Sequence, residues 1–488
     1  MSILYVTAEC KPFAKAGGVG DVAGELCVEL LRQDVDISVV IPLYGVVPGR
    51  FVLVKSFEYT VLFQGEMEAV TIFSGELAGV PVYFVANTHY FEGEYSTPYI
   101  HSVDIPYYDD TLRFSFFCKA LIPLICKLEP HIIHANDWPT GYLFGWLEKE
   151  GIASKRVFTV HNASYQGNIG IDVVENWTVA ELLDDEHIRP HFTDPETIWN
   201  SINPLRLGVE LADIVNTVSP TYQEEICEPG DPSRWFIGGG QLHQQFRKAN
   251  KSGVLHGILN GYQYTSPARE KDISQLLLAK ESARKELADH FNYEPDLILG
   301  FVGRAVEQKL GMLLATLDRD PALTHILKQA GIAVVMVTSG QPVYERQLME
   351  MAHLAGLHLK IAFDAVLADQ VYLGCDVFLM PSVYEPCGIT QLQAMSLGTP
   401  ALVRNTGGLA DTVIPHTQTD GNGFVFTGDT RQKLLLNMVV SCRQALNLRR
   451  SSPEKFQALQ IQAAKQRFTW DMSAQQYRQN IYQPLLES

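Results

Sequence analysis

Residues 381–391 combine residue types that can bind a sugar or a phosphate. They follow an apolar run and enter a helical pattern, so Gly388 and Thr390 fall at a predicted helix N-terminus. Free backbone N–H groups there can donate to an anion or to a hydroxyl. The Glu385 carboxylate lies on the loop just before this helix. It could act on a bound sugar or simply complement the helix dipole, and the segment alone favours neither role.

Two positive charges, Arg304 and Lys309, follow the first apolar run of the second half of the chain, residues 297–302. A guanidinium and an ammonium group at the end of a strand can clamp a diphosphate. A solvated pair that forms surface salt bridges fits the segment equally well.

A glycine-rich turn follows the first predicted strand of the chain. It contains Lys15, Gly17 and Gly18, with Asp21 at the start of the helical pattern that comes next. Glycines let the backbone approach an anion closely, and a lysine adds charge for a phosphate. Structural packing explains such turns about as often as binding does. The spacing differs from G-x-G-x-x-G, which argues against a dinucleotide-dependent dehydrogenase.

Polar residues also close two predicted strands in the first half, namely His134 and Asp137 after one strand and His161 and Asn162 after another. A histidine and an aspartate could begin a metal site, but no third ligand lies at a usual spacing. The pattern therefore favours recognition of sugar hydroxyls, and it predicts no metal and no cofactor.

Short apolar runs, each followed by polar residues, are the elements that must position these side chains. The predicted strands are residues 3–7, 35–41, 82–86, 131–134, 156–160, 214–218, 297–302, 333–337, 360–363, 377–380 and 400–403. Helical patterns alternate with them, which predicts an α/β fold of two doubly wound domains. The carboxyl ends of parallel strands meet at one ligand-binding edge, so two glycine-rich halves indicate a nucleotide-linked donor.

The segment 259–267 is rich in turn residues and precedes a charged stretch, which predicts an interdomain connection. We therefore expect an N-terminal domain of residues 1–262 and a C-terminal domain of residues 263–468. A terminal helix, residues 469–488, is expected to cross back to the N-terminal domain. The Pro- and Gly-rich segment 228–240 has neither strand nor helix character, and we favour a surface insertion over a mobile lid.

The composition excludes several classes of partner. The 488 residues carry a formal net charge of -17, whereas nucleic acids and anionic membranes attract basic proteins. We therefore predict neither as a partner. No apolar run approaches the roughly 20 residues that a membrane span needs, and the N-terminus does not resemble a signal peptide. The eight cysteines form no C-x-x-C pair. We expect a cytoplasmic protein with reduced thiols, and the sequence does not predict its oligomeric state.

Six motifs, in order along the chain, give it a resemblance to bacterial glycogen synthases and plant starch synthases, the nucleotide-sugar α-glucan synthases of the GT-B fold. They are K-x-G-G-L-x-D-V at 15–22, H-x-H/N-D-W at 134–138, T-V-H-N…Y-Q-G at 159–167, T-V-S-P-T-Y-x-x-E-I at 217–226, P-S-x-x-E-P-C-G-L-T-Q at 381–391 and T-G-G-L-x-D-T-V at 406–413. Val19 and Ile389 each replace a leucine. The resemblance runs nearly end to end, and the order of the motifs argues against coincidence.

The resemblance implies a glycosyltransferase with two Rossmann-like domains that face a deep interdomain cleft. It implies a retaining transfer of glucose from ADP-glucose, or less often UDP-glucose, to the non-reducing 4-hydroxyl of an α-1,4-glucan or malto-oligosaccharide. Transfer would take place on one face of the sugar, and the departing diphosphate would help to deprotonate the acceptor. Charge stabilisation would then supply most of the catalysis.

Residue roles are implied by the same motifs. The catalytic residues would be Lys15, His161, Arg304, Lys309 and Glu385. The substrate-binding residues would be Gly17, Gly18, Asp21, Asp137, Asn162, Asn260, Phe363, Cys387, Gly388, Ile389 and Thr390. Arg304 and Lys309 would neutralise the leaving diphosphate, and Glu385 would lie beside the transferred sugar. Phe363 stands where relatives place an aromatic residue against the adenine.

The chain departs from the family pattern at four elements, one of which is the segment 228–240, where the family has a different glycine-rich stretch. At residues 260–267, the element N-G-x-D…W-x-P lacks its acid and its tryptophan. The element Q-K-G ends in Leu310 instead of a glycine. The element G-x-G-D-P is altered at residues 338–342. Two alternatives therefore stand beside an active glucan synthase. One is another GT-B enzyme of sucrose-synthase type, with a different acceptor. The other is a catalytically impaired paralogue that binds glucan or regulates a partner synthase.

Overall fold

The chain divides into two compact units by its internal contacts. The computed structural model describes residues 2–47, 49–99, 107–194, 200–264, 270–362 and 364–487. Unit 1 comprises Met1–Pro229, Gly238–Gly261 and Trp470–Ser488, and unit 2 comprises Gly230–Ile237 and Tyr262–Thr469. Residues 230–237, which the sequence places within the N-terminal domain, therefore group with unit 2. The cleft that the resemblance implies stays a prediction.

Unit 1 is built on a sheet that has nine strands within the described residues. In spatial order they are Leu255–Gly257, Ile214–Thr217, Lys155–Val160, Ile132–Asn136, Ser2–Val6, Asp36–Pro42, Val80–Ala86, Glu66–Leu77 and Val54–Phe63. The first seven pair in parallel, and the last two add an antiparallel edge. A small antiparallel sheet consists of Ile169–Gly170, Ser201–Ile202 and Thr193–Asp194.

Helices connect the parallel strands of unit 1. They are Gly18–Arg32, Thr88–Phe91, Tyr108–Leu128, Asp137–Lys149, Ile171–Val174, Arg189–Phe192, Pro204–Leu211, Pro220–Ile226, His243–Lys251, Trp470–Gln476 and Gln483–Glu487. Single turns of 3₁₀-helix lie at Gly93–Tyr95, Thr178–Leu182 and Gly240–Leu242, and a π-helical segment spans Tyr477–Tyr482. The helix Gly18–Arg32 buries one apolar stripe, which includes Val22, Leu26 and Leu30, as its spacing predicts.

Unit 2 contains a parallel sheet with six strands among the described residues. In spatial order they are Leu357–Ile361, Ile332–Gly340, Leu297–Ala305, Val377–Met380, Ala401–Arg404 and Gly423–Phe426. Its helices are Glu270–Ala288, Glu307–Leu314, Ala322–Leu327, Pro342–Met351, Ala365–Gly374, Thr390–Ser396, Gly407–Thr412, Arg431–Ser451 and Pro453–Lys465, with a 3₁₀ turn at Pro232–Arg234 and a short hairpin of Thr316–Leu317 and Asp320–Pro321. Its central strands are almost wholly buried, which explains their continuous apolar runs.

The strand order of each sheet reverses at its first strand. Ser2–Val6 lies between Asp36–Pro42 and the later strand Ile132–Asn136, and Leu297–Ala305 lies between Ile332–Gly340 and Val377–Met380. Ligands of doubly wound sheets bind outside the carboxyl ends of the strands at such a reversal. Each sheet therefore has its own residues at such a position: Asp137 in unit 1, and Arg304, Lys309 and Glu385 in unit 2.

Every strand predicted from an apolar run is present, with its ends shifted by a few residues. The predicted strand 360–363 is Leu357–Ile361 in the structure, and Phe363 lies outside the described residues. The hairpin Val54–Phe63 and Glu66–Leu77 was not predicted from sequence. Much of it faces solvent, so it carries alternating residues rather than an apolar run.

The C-terminal helix belongs to unit 1 and enters a buried chain of hydrogen bonds. The Thr159 hydroxyl donates to Asn216 Oδ1 at 2.6 Å, so His134 Nε2, which lies 2.6 Å from that hydroxyl, must donate to it. Burial lowers the pKa of His134 to about 3, so the ring is neutral and its Nδ1 carries no proton. Nδ1 therefore accepts a hydrogen bond, which the Tyr482 hydroxyl donates at 2.7 Å. Asn216 Nδ2 completes the chain by donating to the Tyr477 hydroxyl at 2.8 Å.

Tyr482→Phe tests this buried chain of hydrogen bonds. The substitution leaves His134 Nδ1 without its donor inside unit 1, and we expect the free energy of unfolding to fall by about 1–3 kcal/mol. Urea denaturation followed by circular dichroism measures the change. Tyr165→Phe, at a tyrosine that is 44% exposed, is the matched control and should change little. Equal stability of the two variants would contradict the assignment.

Candidate functional site

A buried ion pair lies at the carboxyl end of the unit 2 sheet. The Lys309 ammonium pairs with Glu385 Oε2, and the Ser382 hydroxyl donates to the same oxygen at 2.9 Å. The side chains of Lys309 and Glu385 are only 18% and 9% exposed. Removal of either partner would leave a poorly solvated charge, which is costly. The structure thus brings together two residues that the sequence assigns to catalysis.

Backbone contacts fix the loop that carries Glu385. Val383 donates its N–H to the carbonyl of Gln308 at 2.8 Å, and Gln308 Nε2 donates to the carbonyl of Tyr384 at 3.1 Å. On the other side, the N–H of Gly408 donates to the carbonyl of Glu385 at 3.1 Å. A Cβ on Gly407 would meet that carbonyl oxygen at 2.0 Å, and its φ is +43°, so this position requires glycine.

The residues after Glu385 enter the short helix Thr390–Ser396. Cys387 and Gly388 are buried, and Gly388 has a φ of +81°. Ile389 and Thr390 are half-buried. The buried Gln391 amide donates to the carbonyls of Cys387 and Gly388, so this neighbour, which the sequence did not single out, orients their backbone.

Arg304 and Lys309 differ in environment although both follow the same strand. Arg304 is the penultimate residue of Leu297–Ala305 and is exposed. Lys309 lies on the next helix, Glu307–Leu314, and is paired with Glu385. Arg304 therefore supplies an exposed positive charge, and Lys309 supplies one that is paired with Glu385.

The glycine-rich turn of unit 1 is held by a carboxylate that the sequence did not identify. Glu9 accepts the N–H groups of Ala16 and Gly17 at 2.5 and 2.7 Å. Two donors expected to point at a ligand are thus bonded inside the protein. Burial raises the pKa of Glu9. Lys15 pairs with Asp21 at 2.6 Å, and Gly18 begins the helix Gly18–Arg32.

His161 and Asp137 meet in unit 1, as neighbouring strands bring them together. Asp137 Oδ1 accepts the backbone N–H of His161 at 2.7 Å. The ring Nε2 of His161 donates to Asn136 Oδ1 at 2.9 Å, since that oxygen can only accept. Burial lowers the pKa of His161 to about 3. The imidazole is therefore neutral, with a lone pair on Nδ1.

Two asparagines complete the predicted set. Asn162 is half-buried, and its Oδ1 accepts the N–H of Ser164 at 3.0 Å. Asn260 is 5% exposed, and its Oδ1 has no hydrogen-bond partner within the described part of the chain. A buried oxygen of this kind is costly unless a ligand or water satisfies it.

The described ranges contain neither a candidate metal cluster nor a candidate membrane span. In those ranges, His, Cys, Asp and Glu form no group of three that could hold a metal ion. Each helix there is too short or too polar to cross a bilayer.

Stability should depend on the protonation of Asp137. Burial raises the pKa of its carboxyl to about 7, although the N–H groups of His161 and Asn162 oppose the shift. Between its ordinary value near 4 and about 7, the folded state holds a proton that the unfolded chain releases. Stability therefore falls as the pH rises through this window.

Asp137→Asn should remove this dependence, because the amide oxygen still accepts the same N–H groups. We expect the variant to gain stability relative to the natural protein as the pH rises from about 4 to about 7. Urea denaturation at several pH values measures the difference. The negative charge of nearby Glu9 also raises the pKa of Asp137, and parallel stability curves for the two proteins would rule out a raised pKa at Asp137.

Comparison with known proteins identifies the family. The family model of the starch synthase catalytic domain matches residues 2–248, and that of glycosyl transferases group 1 matches residues 282–439. Glycogen synthase of Clostridioides difficile is 33% identical, covering 98% of both chains. Glycogen synthase of Moorella thermoacetica is also 33% identical, covering 100% of this chain and 97% of its own.

Solved structures show the same fold. The catalytic domain of starch synthase IV from Arabidopsis thaliana, bound to ADP and acarbose, superposes with a TM-score of 0.80 at 26% identity, covering 100% of this chain and 99% of its own. Sucrose-phosphate synthase from Thermosynechococcus elongatus, at 17% identity and a TM-score of 0.59 over the full length of both chains, shares the fold. The chain therefore belongs to the glycogen synthase and starch synthase family of glycosyltransferases, and its fold is GT-B.

Proposed function

We propose that the protein transfers glucose, with retention, from ADP-glucose to the non-reducing 4-hydroxyl of an α-1,4-glucan. The observation that carries this proposal is the buried Lys309–Glu385 pair at the strand reversal of unit 2. The names of the relatives, and the ADP and acarbose in the starch synthase IV structure, support the donor and acceptor classes. The protein is expected to act in the cytoplasm.

Unit 2 supplies the positive charge for the leaving diphosphate. The Lys309 ammonium has three donors, and Glu385 engages it from one side. The remaining donors can bind phosphate oxygens, and Arg304, which is exposed, can add a bidentate contact. These charges stabilise the diphosphate as it gains negative charge in the transition state, which lowers the barrier without a proton transfer from the protein.

Glu385 is better suited to electrostatic stabilisation than to nucleophilic attack. Its Oε2 is already bonded to the Lys309 ammonium and to the Ser382 hydroxyl, which lowers its nucleophilicity. A carboxylate fixed beside the sugar can still stabilise an oxocarbenium-like centre. This arrangement suits transfer on one face of the sugar, in which the departing diphosphate accepts the proton of the acceptor hydroxyl.

Unit 1 supplies neutral groups for hydroxyl recognition. His161 donates from Nε2 to Asn136, so its Nδ1 lone pair can accept a sugar hydroxyl. Asp137 holds the backbone of His161 and so fixes the ring position. Asn260 offers a buried oxygen that has no partner among the described residues, which also suits a hydroxyl donor. Lys15, Gly17, Gly18, Asp21 and Asn162 are proposed to line the same sugar and diphosphate site.

Lys309→Ala and Glu385→Gln test the charged site. Each should lower kcat for incorporation of radiolabelled glucose from ADP-glucose into glycogen by about 100- to 1,000-fold, because each removes charge stabilisation in the transition state. Lys328→Ala is the matched control, since Lys328 forms an exposed ion pair with Asp320 in the same unit. It should keep normal activity. Near-normal kcat in both site variants, with circular dichroism unchanged, would refute the assignment.

Donor and acceptor screening separates the proposal from its alternatives. Incorporation from UDP-glucose alone would correct the nucleotide, and transfer to a different acceptor would favour an enzyme of sucrose-synthase type. Binding of glucan with no incorporation from any nucleotide-glucose would favour a regulatory paralogue and reject the catalytic proposal.

Asn260→Ala should lower kcat/KM by about 10- to 100-fold, the worth of one or two hydrogen bonds to substrate. It should cost little stability, because its oxygen bonds none of the residues that the structure describes. Asn203→Ala is the contrasting control, because Asn203 is also buried but bonds Gln166 and Arg206. That variant should lose about 1–3 kcal/mol of stability. Unchanged kcat/KM in Asn260→Ala would remove Asn260 from the site.

A further inference from the structure

The segment of residues 230–237, here called the strap, folds as a closed loop on unit 2. Asp231 and Phe236 exchange backbone hydrogen bonds of 2.7 and 3.0 Å, and a 3₁₀ turn spans Pro232–Arg234. Its flanking residues belong to unit 1, where the N–H of Gly239 donates to the carbonyl of Glu228 at 3.0 Å. The strap is thus a short loop whose two ends are joined by the hydrogen bond between Glu228 and Gly239.

Trp235 anchors the strap. Its side chain is 9% exposed and belongs to the apolar core cluster of unit 2 that also contains Val383. The Arg431 guanidinium lies 4.8 Å from the centre of the indole ring and donates to the carbonyl of Pro232 at 2.6 Å. Burial of an aromatic ring of this size anchors a peptide firmly, so the segment, which is mostly exposed as a surface insertion would be, is held on unit 2 by one buried residue.

A buried arginine joins the strap to the loop that carries Glu385. Arg404, the last residue of the strand Ala401–Arg404, is 6% exposed. Its guanidinium donates to the carbonyls of Trp235 at 2.9 Å and Arg234 at 3.0 Å. The same Nη1 that bonds Trp235 also donates to the carbonyl of Val383. One side chain therefore bonds two peptide segments, and the second lies two residues before Glu385.

We propose that the strap is a positioning element for the Glu385 loop and acts through Arg404. The inference rests on the proposed function, in which the placement of Glu385 and its Lys309 partner sets the rate. The backbone of Val383 is held by Gln308 on one side and by Arg404 on the other. Without the strap, Arg404 loses the two carbonyls that fix its orientation, and its hold on Val383 weakens.

The planar guanidinium is what this role requires. Its donors lie in a rigid fork, so one group can bond carbonyls of two segments in fixed directions. An ammonium on a flexible stem keeps the charge but loses this geometry. Arg404→Lys therefore separates the charge of the buried group from its positioning effect.

The base of the strap permits a clean deletion. Removing residues 230–237 and joining Pro229 to Gly238 leaves Pro-Gly between Glu228 and Gly239, whose hydrogen bond is already present. Pro-Gly is favoured at the centre of a type II turn, and Gly238 already has a φ of +58°. The deletion should therefore leave unit 1 intact.

Two measurements test the proposal on the full chain. In the deletion variant and in Arg404→Lys, we expect amide hydrogen exchange to rise in residues 381–388 while the rest of the unit 2 sheet stays protected. We also expect kcat for glucosyl transfer to fall by about 10- to 100-fold, with the donor KM within about threefold, because misplacement of a catalytic group slows the chemical step.

Ser233→Ala is the matched control. Ser233 is exposed on the strap, and its hydroxyl bonds only Asp231 among the described contacts. It should change neither the exchange nor kcat. Unchanged protection of residues 381–388 in both test variants would overturn the proposal. So would increased exchange throughout unit 2 in both, which would show general destabilisation instead of positioning.

Failure of the proposed function gives a different result. If the natural protein transfers no glucose from any nucleotide-glucose, the transferase proposal and the predicted effect on kcat both fall. The exchange experiment still decides whether the strap holds the Glu385 loop. Loss of protection confined to residues 381–388 would confirm that contact, and unchanged protection would reject it.

Discussion

The buried ion pair between Lys309 and Glu385 is the interaction on which the organisation of unit 2 depends. An ion pair with so little exposure is tolerated only when its geometry is tightly held, because desolvation costs offset much of the attraction. Three contacts hold this geometry: the hydrogen bond from the Ser382 hydroxyl to Glu385, the hydrogen bond from the Gln308 amide to the Tyr384 carbonyl, and the close packing of Gly407 on the Glu385 carbonyl. The charge that the pair needs for stability is the same charge that a departing diphosphate would use.

In unit 1, burial keeps the histidines of the candidate site neutral. Low pKa values near 3 at His134 and His161 remove their positive charge at any physiological pH. The direction of each hydrogen bond around His134 then follows from the donors and acceptors available, and Asn136 fixes the tautomer of His161. A neutral imidazole with a fixed lone pair recognises hydroxyls well and phosphate poorly. The proposed role of His161 in hydroxyl recognition follows from this neutral, fixed ring.

The apolar runs of the sequence predict most of the parallel strands of both sheets, and parallel strands send their carboxyl ends to one edge, where Glu385 and Lys309 lie. The sequence does not predict Glu9 or Arg404 as structural partners. Both bond backbone groups, and a bond to a carbonyl or N–H leaves no trace in the identity of the partner residue. The packing of the strap on unit 2 could not be predicted from the sequence for a related reason. Its Pro- and Gly-rich composition is typical of loops, whereas a single residue, Trp235, anchors it in the core of unit 2.

Two of the departures from the family pattern, at Leu310 and at residues 262–264, are accommodated by contacts with neighbouring residues. Leu310, which replaces a glycine, is fully buried in the unit 2 core, while Gly311 gives Val383 the close approach it needs. Beside Gln263, which stands where the family has its acid, Tyr262 donates its N–H to the carbonyl of Phe468 at 2.7 Å. Tyr264 binds the N–H of Phe468 through its hydroxyl at 3.0 Å and packs under Arg467 at 4.6 Å. These aromatic residues join the segments by which the chain enters and leaves unit 2. Tyr262 and Tyr264, in the described part of the altered hinge motif, are therefore held by defined contacts to the segment at which the chain leaves unit 2.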